Sequence, residues 1–252
     1  MYNFARINSN PTEPEDYAMR PLILLSLFIG CAAAAQAQRC DVDSGFRGSN
    51  GEWSIPFKYM KFVHVFHSRD DIAAAENSAL DEYLKRKLGE SFAKRLIFDE
   101  GEWLDLTELR KKSASIYKQN VNHGNYYLHF YFSDPDKGLK AYYTTMVLNE
   151  DGSVWRSIDL PDIGSNPSKG VLISCRDAYA IAARSGFPEN VSSARFEYWL
   201  EGGSFVWIIT NSRPTTPDDL LAYVPGGGTY KKIAINANSG TVVKIYKETI
   251  FF

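Results

Sequence analysis

Apolar side chains along this chain of 252 residues fall into three kinds of pattern. One is a continuous apolar run at 22–35. A second is helical. Over residues 68–89, Ile72, Ala75 or Glu76, Ala79, Leu80, Tyr83, Leu84 and Leu88 recur at spacings of three and four, which places them on one stripe. Ser68 offers an N-cap, Asp70 and Asp71 fall in the first turn, and Lys85, Arg86 and Lys87 occupy the last before Gly89, so a helix is predicted between Ser68 and Gly89. A shorter pattern of the same kind runs from Ser174 to Gly186, with Ala178, Ile181, Ala182 and Phe187 on its apolar side. Residues 105–112 predict a short helix.

The third pattern is strand-like. Residues 58–67, 92–98, 126–132, 139–148 and 153–159 are predicted as strands, the last two joined through Asp151-Gly152, a strong hairpin signal. After the second helix, strands are expected at 194–200, 205–210, 230–236 and 241–247. Ile233, Ile235, Val243 and Ile245 alternate as an inward face should. Pro, Gly, Asn, Asp and Ser cluster at 161–170, which reads as a linker. The chain thus divides into a leader at 1–37, a tail at 38–57, a first unit at 58–160, the linker, and a second unit at 171–252. The fold class is α+β, with helices lying on antiparallel sheets.

The two units resemble each other. Val147 to Trp155 and Ile235 to Val243 are both strand, Asn/Asp-rich turn with Gly, and strand, and each unit puts helix before sheet, which suggests an internal duplication. The helix containing Asp177, Ala178 and Ala182 and ending at Gly186-Phe187, the strand carrying Trp207, and the closing run Ile235-Asn-Ala-Asn-Ser-Gly-Thr-Val-Val243 together resemble a PepSY domain. Two features depart from that family: Asn236 stands where an Asp is usual, and 212–229 is a Pro/Gly-rich insertion. The resemblance covers the C-terminal third, and through the duplication implies two PepSY-like units. It implies an exported protein that restrains or contacts a peptidase, and it transfers no catalytic residue.

Composition narrows the picture further. At 44% hydrophobic and 23% charged the chain has the make-up of a globular protein, and a net charge of −2 lacks the basic excess of a nucleic-acid surface. Aromatics reach 14%, which suits sheets and half-exposed faces. The apolar run at 22–35 follows Met19-Arg20 and ends at Ala35-Gln36-Ala37, the form of a signal peptide cleaved after Ala37, with Met19 as an alternative start. The run is too short for a comfortable membrane span. Leu27 to Cys31 offers a second reading, a lipobox with Cys31 lipidated. Either way the protein is expected outside the cytoplasm, periplasmic or extracellular, or held at the outer membrane as a lipoprotein. Cys40 and Cys175 would remain as a pair in an oxidising compartment, either bridged or as a buried free thiol and a thiol on a tail.

Candidate chemistry is sparse. His64 and His67, three apart on a predicted strand, point to opposite faces and cannot share a metal, so no metal site and no cofactor is expected. Asp70, Asp71 and Glu76 read as helix N-terminal charge. Gly226 to Gly228 lack the Lys-Ser/Thr of a phosphate loop. On the strand from Tyr126, Leu128, Phe130 and Phe132 point one way and Tyr127, His129 and Tyr131 the other. That second row is either a surface for a ligand or partner, with Trp207 as a further aromatic candidate, or a packed face. The reading is therefore a non-enzymatic interaction module with a protein partner, and the alternative a small-ligand carrier using an aromatic sheet face. An enzyme would need ionisable groups brought together from distant positions.

Overall fold

A computed structural model describes residues 40–45, 55, 57–119, 124–187, 191–211 and 228–250. The leader with its alternative start and Cys31, most of the predicted tail, and 212–227 of the predicted insertion lie outside the described residues. Ten strands and four α-helices follow in order: β1 (Val42–Gly45), β2 (Val63–Phe66), α1 (Ala74–Ala93), β3 (Ile97–Leu104), α2 (Leu106–Lys112), α3 (Ala114–Gln119), β4 (Tyr126–Asp134), β5 (Leu139–Leu148), β6 (Val154–Arg156), α4 (Cys175–Arg184), β7 (Val191–Trp199), β8 (Ser204–Asn211), β9 (Gly228–Asn236) and β10 (Val242–Ile250).

The strands form two sheets, so the fold is α+β and dominated by sheet. The first has the order β1-β5-β4-β3-β2, with β6 also paired to β5; the second is the meander β10-β9-β8-β7. Among the described residues all pairings are antiparallel except that of β1 with β5. The order β6-β5-β4-β3 after α1 repeats as β10-β9-β8-β7 after α4. Both terminal hairpins turn on a glycine at positive φ, Gly152 (76°) and Gly240 (72°).

The stripe on α1 is buried as its spacing predicts, through Leu80, Leu84, Leu88 and Phe92. Its start differs. Ser68 caps only a 3-10 turn, Arg69–Asp71, because Ile72 then turns into the core with extended backbone (φ −78°, ψ 135°) and the helix restarts at Ala74. Gly89 breaks the regular helix with φ 71° and ψ 154°, values that glycine adopts without Cβ strain. One further turn follows it. Phe92 lies in that turn, so the strand expected from 92 begins instead at Ile97, because burying Phe92 below Leu88 outweighs its strand propensity. The strand expected at 58–67 is likewise reduced to β2. Residues Phe57–Phe62 form a 3-10 helix that turns Tyr59 into a cluster with Leu104, Leu109, Tyr127 and Val147.

One hydrophobic core runs through both sheets. Phe132 and Tyr142 of the first sheet meet Phe205 of the second at 5.8 and 5.5 Å between ring centroids, and Tyr142 also meets Phe196 at 5.6 Å. The Phe196 amide donates to Ser44 Oγ at 2.9 Å, joining β7 to β1. Residues 161–170 pack rather than hang free: Ile163 is buried, and the Gly164 amide donates to the Lys87 carbonyl at 2.9 Å.

Cys40 and Cys175 form a disulfide with a Cα–Cα distance of 5.8 Å. It ties the residue-40 end of β1 to the first residue of α4. Gly138, at φ 77°, lies against it, where a Cβ would stand 2.9 Å from Cys40 Cβ and leave no room for a side chain. Helix α4 starts as expected. The Ser174 side chain accepts from the Asp177 amide at 3.1 Å, and Asp177 accepts from the Ser174 amide at 3.1 Å, a complete capping box.

The inward alternation expected at the C-terminus is half right. Ile233 and Ile235 are fully buried, whereas Val243 and Ile245 are 50% and 46% exposed. A bulge between Val242 and Lys244 shifts the register, and β10 is the edge of its sheet, so its side chains run out beyond the covered face.

Candidate functional site

The row Tyr127, His129 and Tyr131 lies on the face of the first sheet opposite Leu128, Phe130 and Phe132, as alternation requires. Cross-strand pairing sets its neighbours: Glu102, Tyr127 and Val147 in one row, Glu100, His129 and Thr145 in the next, and Ile97, Tyr131 and Tyr143 in the third. The face changes along its length. At the Tyr127 end it is closed by Ile55, Tyr59, Leu104 and Leu109. There the Ile55 amide donates to Glu102 Oε2 at 2.9 Å. Burial pushes the Tyr127 hydroxyl pKa up, and the Glu102 carboxylate adds to the shift.

In the middle row His129 is 6% exposed, and its Nδ1 is hydrogen-bonded to Thr145 Oγ1 at 2.9 Å. Burial lowers its pKa, and the carboxylates of Glu102, Glu100 and Asp99 oppose the shift without cancelling it. The neutral imidazole is therefore the favoured form near neutral pH. The third row is open. Tyr131 and Tyr143 are half-buried, their rings 5.6 Å apart and tilted by 40°, and Ile97 beside them is 48% exposed. This end offers two aromatic rings and an aliphatic side chain to solvent, chemistry suited to a flat or extended apolar group.

His129 makes a pH prediction. A histidine whose folded pKa lies below its unfolded value takes up a proton more readily on unfolding, so it costs stability as pH falls through the unfolded value of about 6.5, until the folded value is passed. Thermal melts of the wild type and H129Q should diverge in pH dependence as pH falls below about 6.5, the wild type losing stability more steeply. Parallel curves across that window would show that His129 does not titrate with folding.

Trp207 stands apart from the row. It is fully buried on β8, edge-on to Phe196 at 4.8 Å, with Nε1 donating to the Ile173 carbonyl at 3.2 Å. His67 is exposed. Among the described residues one group has side chains suited to hold a metal ion: His64, Asp105 and Glu108, whose ligand atoms lie within 4.8 Å of one another. Pairing His64 with His67 misses this group, because its members come from β2 and from the start of α2. The Asp105-x-x-Glu108 spacing is visible in the sequence as a helix start, but its approach to His64 depends on the register of β2 on β3. The chain matches no family model, no curated protein and no solved structure.

Proposed function

We propose that this chain is an exported, non-enzymatic interaction module of two PepSY-like units that docks on a peptidase or another envelope protein and restrains it. The Cys40–Cys175 disulfide is consistent with an oxidising compartment. Among the described residues, no helix is long and apolar enough to cross a membrane. The repeated helix-plus-meander order supports the duplication. The observation that carries the docking reading is the edge at β10. Among the described residues this strand pairs only with β9, and it exposes Val243 and Ile245. An extended segment of a partner can add to such an edge through main-chain hydrogen bonds, with the two apolar side chains selecting it.

The test is inhibition and co-sedimentation of purified envelope peptidases by the full chain and by V243D/I245D. The expected result is binding by the wild type, weakened at least about tenfold in the double variant, since two charges would be desolvated at the contact. If no peptidase is inhibited and no envelope protein is retained, the reading fails. A second reading, a small-ligand carrier, rests on the open aromatic end at Tyr131 and Tyr143. Loss of binding in Y131A/Y143A, with V243D/I245D unaffected, would favour it.

A further inference from the structure

We propose that His64, Asp105 and Glu108 form a binding site for a divalent transition-metal ion of the zinc class, independent of the docking reading. The three residues come from two elements that the backbone holds together. His64 sits on β2 opposite Trp103 of β3, and its ring stacks on the indole with centroids 5.1 Å apart. Asp105 follows β3 directly; its amide donates to the Phe62 carbonyl at 2.9 Å, tying the start of α2 to the residue before β2. Its side chain caps α2, Oδ1 accepting from the Glu108 amide at 2.8 Å. The cap fixes one oxygen and leaves the other for an ion. Glu108 stands in the first turn of α2 and pairs with Lys112 through Oε1.

The donor set is one imidazole nitrogen and two carboxylates. That set suits borderline ions such as zinc better than the all-oxygen preference of calcium or magnesium. Ligand atoms that now lie within 4.8 Å of one another would stand about 3.3 Å apart around a tetrahedral ion with bonds of ~2.0–2.2 Å. The closing movement is at most about 1.5 Å by that geometry. His64 is exposed and Glu108 is half-buried, so side-chain torsions can supply it without moving the backbone. Three protein ligands leave one position for water or for a donor from another molecule. Lys112 competes with the ion for Glu108, so the site is weakened by its own ion pair.

The experiment is a titration of the metal-free full chain with Zn²⁺ alone, by calorimetry or against a chromophoric chelator. Histidine ring resonances are followed in parallel by NMR. One equivalent should bind and shift the His64 ring signals. H64Q and E108Q should each weaken binding at least about tenfold, as expected for loss of a ligand, and D105N should do so while keeping an acceptor at the cap. K112A should tighten binding by freeing Glu108. Its outcome guards against a ligand variant that simply fails to fold, because it leaves the donor set intact. Zn²⁺ binding unchanged in H64Q, or NMR shifts confined to other histidines, would overturn the proposal. So would the absence of stoichiometric binding by both the wild type and K112A.

Discussion

The C40A/C175A variant should unfold at a temperature lower than the wild type by on the order of 10 °C. The bridge closes a loop of sequence separation 135. In the chain-entropy account a loop of that size stabilises by about 5 kcal/mol, and measured values commonly fall somewhat below the calculated one. For a domain near this size each kcal/mol moves the melting temperature by roughly 2–4 °C. Alanine suits both positions, because Cys175 is fully buried and a serine there would leave a hydroxyl in the core.

The effect reaches beyond chain entropy. β1 has only four residues, is the sole parallel pairing among the described residues, and carries a register shift next to Val42. Once untethered it can fray. The Ser44 acceptor of the Phe196 amide would go with it, adding a lost hydrogen bond between the two sheets to the lost covalent tie. Reduction of the wild type by dithiothreitol should reproduce the alanine pair in scanning calorimetry. A reduced protein melting within about 2 °C of the oxidised one, less than 1 kcal/mol for this size, would show that the loop is already constrained by packing.

Trp207→Ala should be comparably damaging, at about 4–6 kcal/mol. Removing a buried tryptophan side chain costs about 3–5 kcal/mol through lost transfer energy and the cavity left behind. Here the Ile173 carbonyl also loses the Nε1 donor, which costs on the order of 1 kcal/mol more. Ile173 immediately precedes the Ser174 cap, and its amide donates to the Ala237 carbonyl at 2.7 Å, so the indole helps to seat the start of α4 on the second sheet. Trp207→Phe keeps the ring against Phe196 and loses only the donor and part of the volume. It should cost about 1–2 kcal/mol. Urea unfolding followed by far-UV circular dichroism separates the two variants. Equal, small losses in both would mean that Trp207 is not a core residue; a change in partner or ligand binding by W207F without loss of stability would assign it to a surface.

Local signals carried far in the C-terminal half. The Ser174 cap, the stop at Gly186 and the strand positions could be read directly, because caps and turns are made by residues adjacent in sequence. The short helix at 105–112 was legible as an element, and the structure adds that Asp105 caps it. The errors fall where a distant contact competes with a local preference. Ser68 has every mark of a helix start, yet burying Ile72 interrupts the helix after one turn. Phe92 favours a strand, yet it continues the stripe of Leu84 and Leu88. Tyr59 lies in a segment rich in Val and Phe, yet a helical turn is what brings its ring onto Tyr127 and Leu109.

The candidate surface divides in the same way. Alternation alone determined that Tyr127, His129 and Tyr131 share a face, since successive side chains on a strand point to opposite sides. It likewise determined that Leu128, Phe130 and Phe132 share the opposite face, while turn residues marked the hairpins at Gly152 and Gly240 and element order marked the repeat. Only the tertiary structure decided that this face is closed over Tyr127 and His129 and open at Tyr131, because the residues that cover it, Ile55 and Tyr59 among them, are far away in the chain. It alone decided that Cys40 meets Cys175, that Trp207 is enclosed, and that His64 faces Asp105 and Glu108. The physical reason is common to all of these. Periodicity and capping are settled within a few residues of backbone, whereas burial, pairing register and metal-ligand proximity are properties of segments that meet only when the two sheets pack.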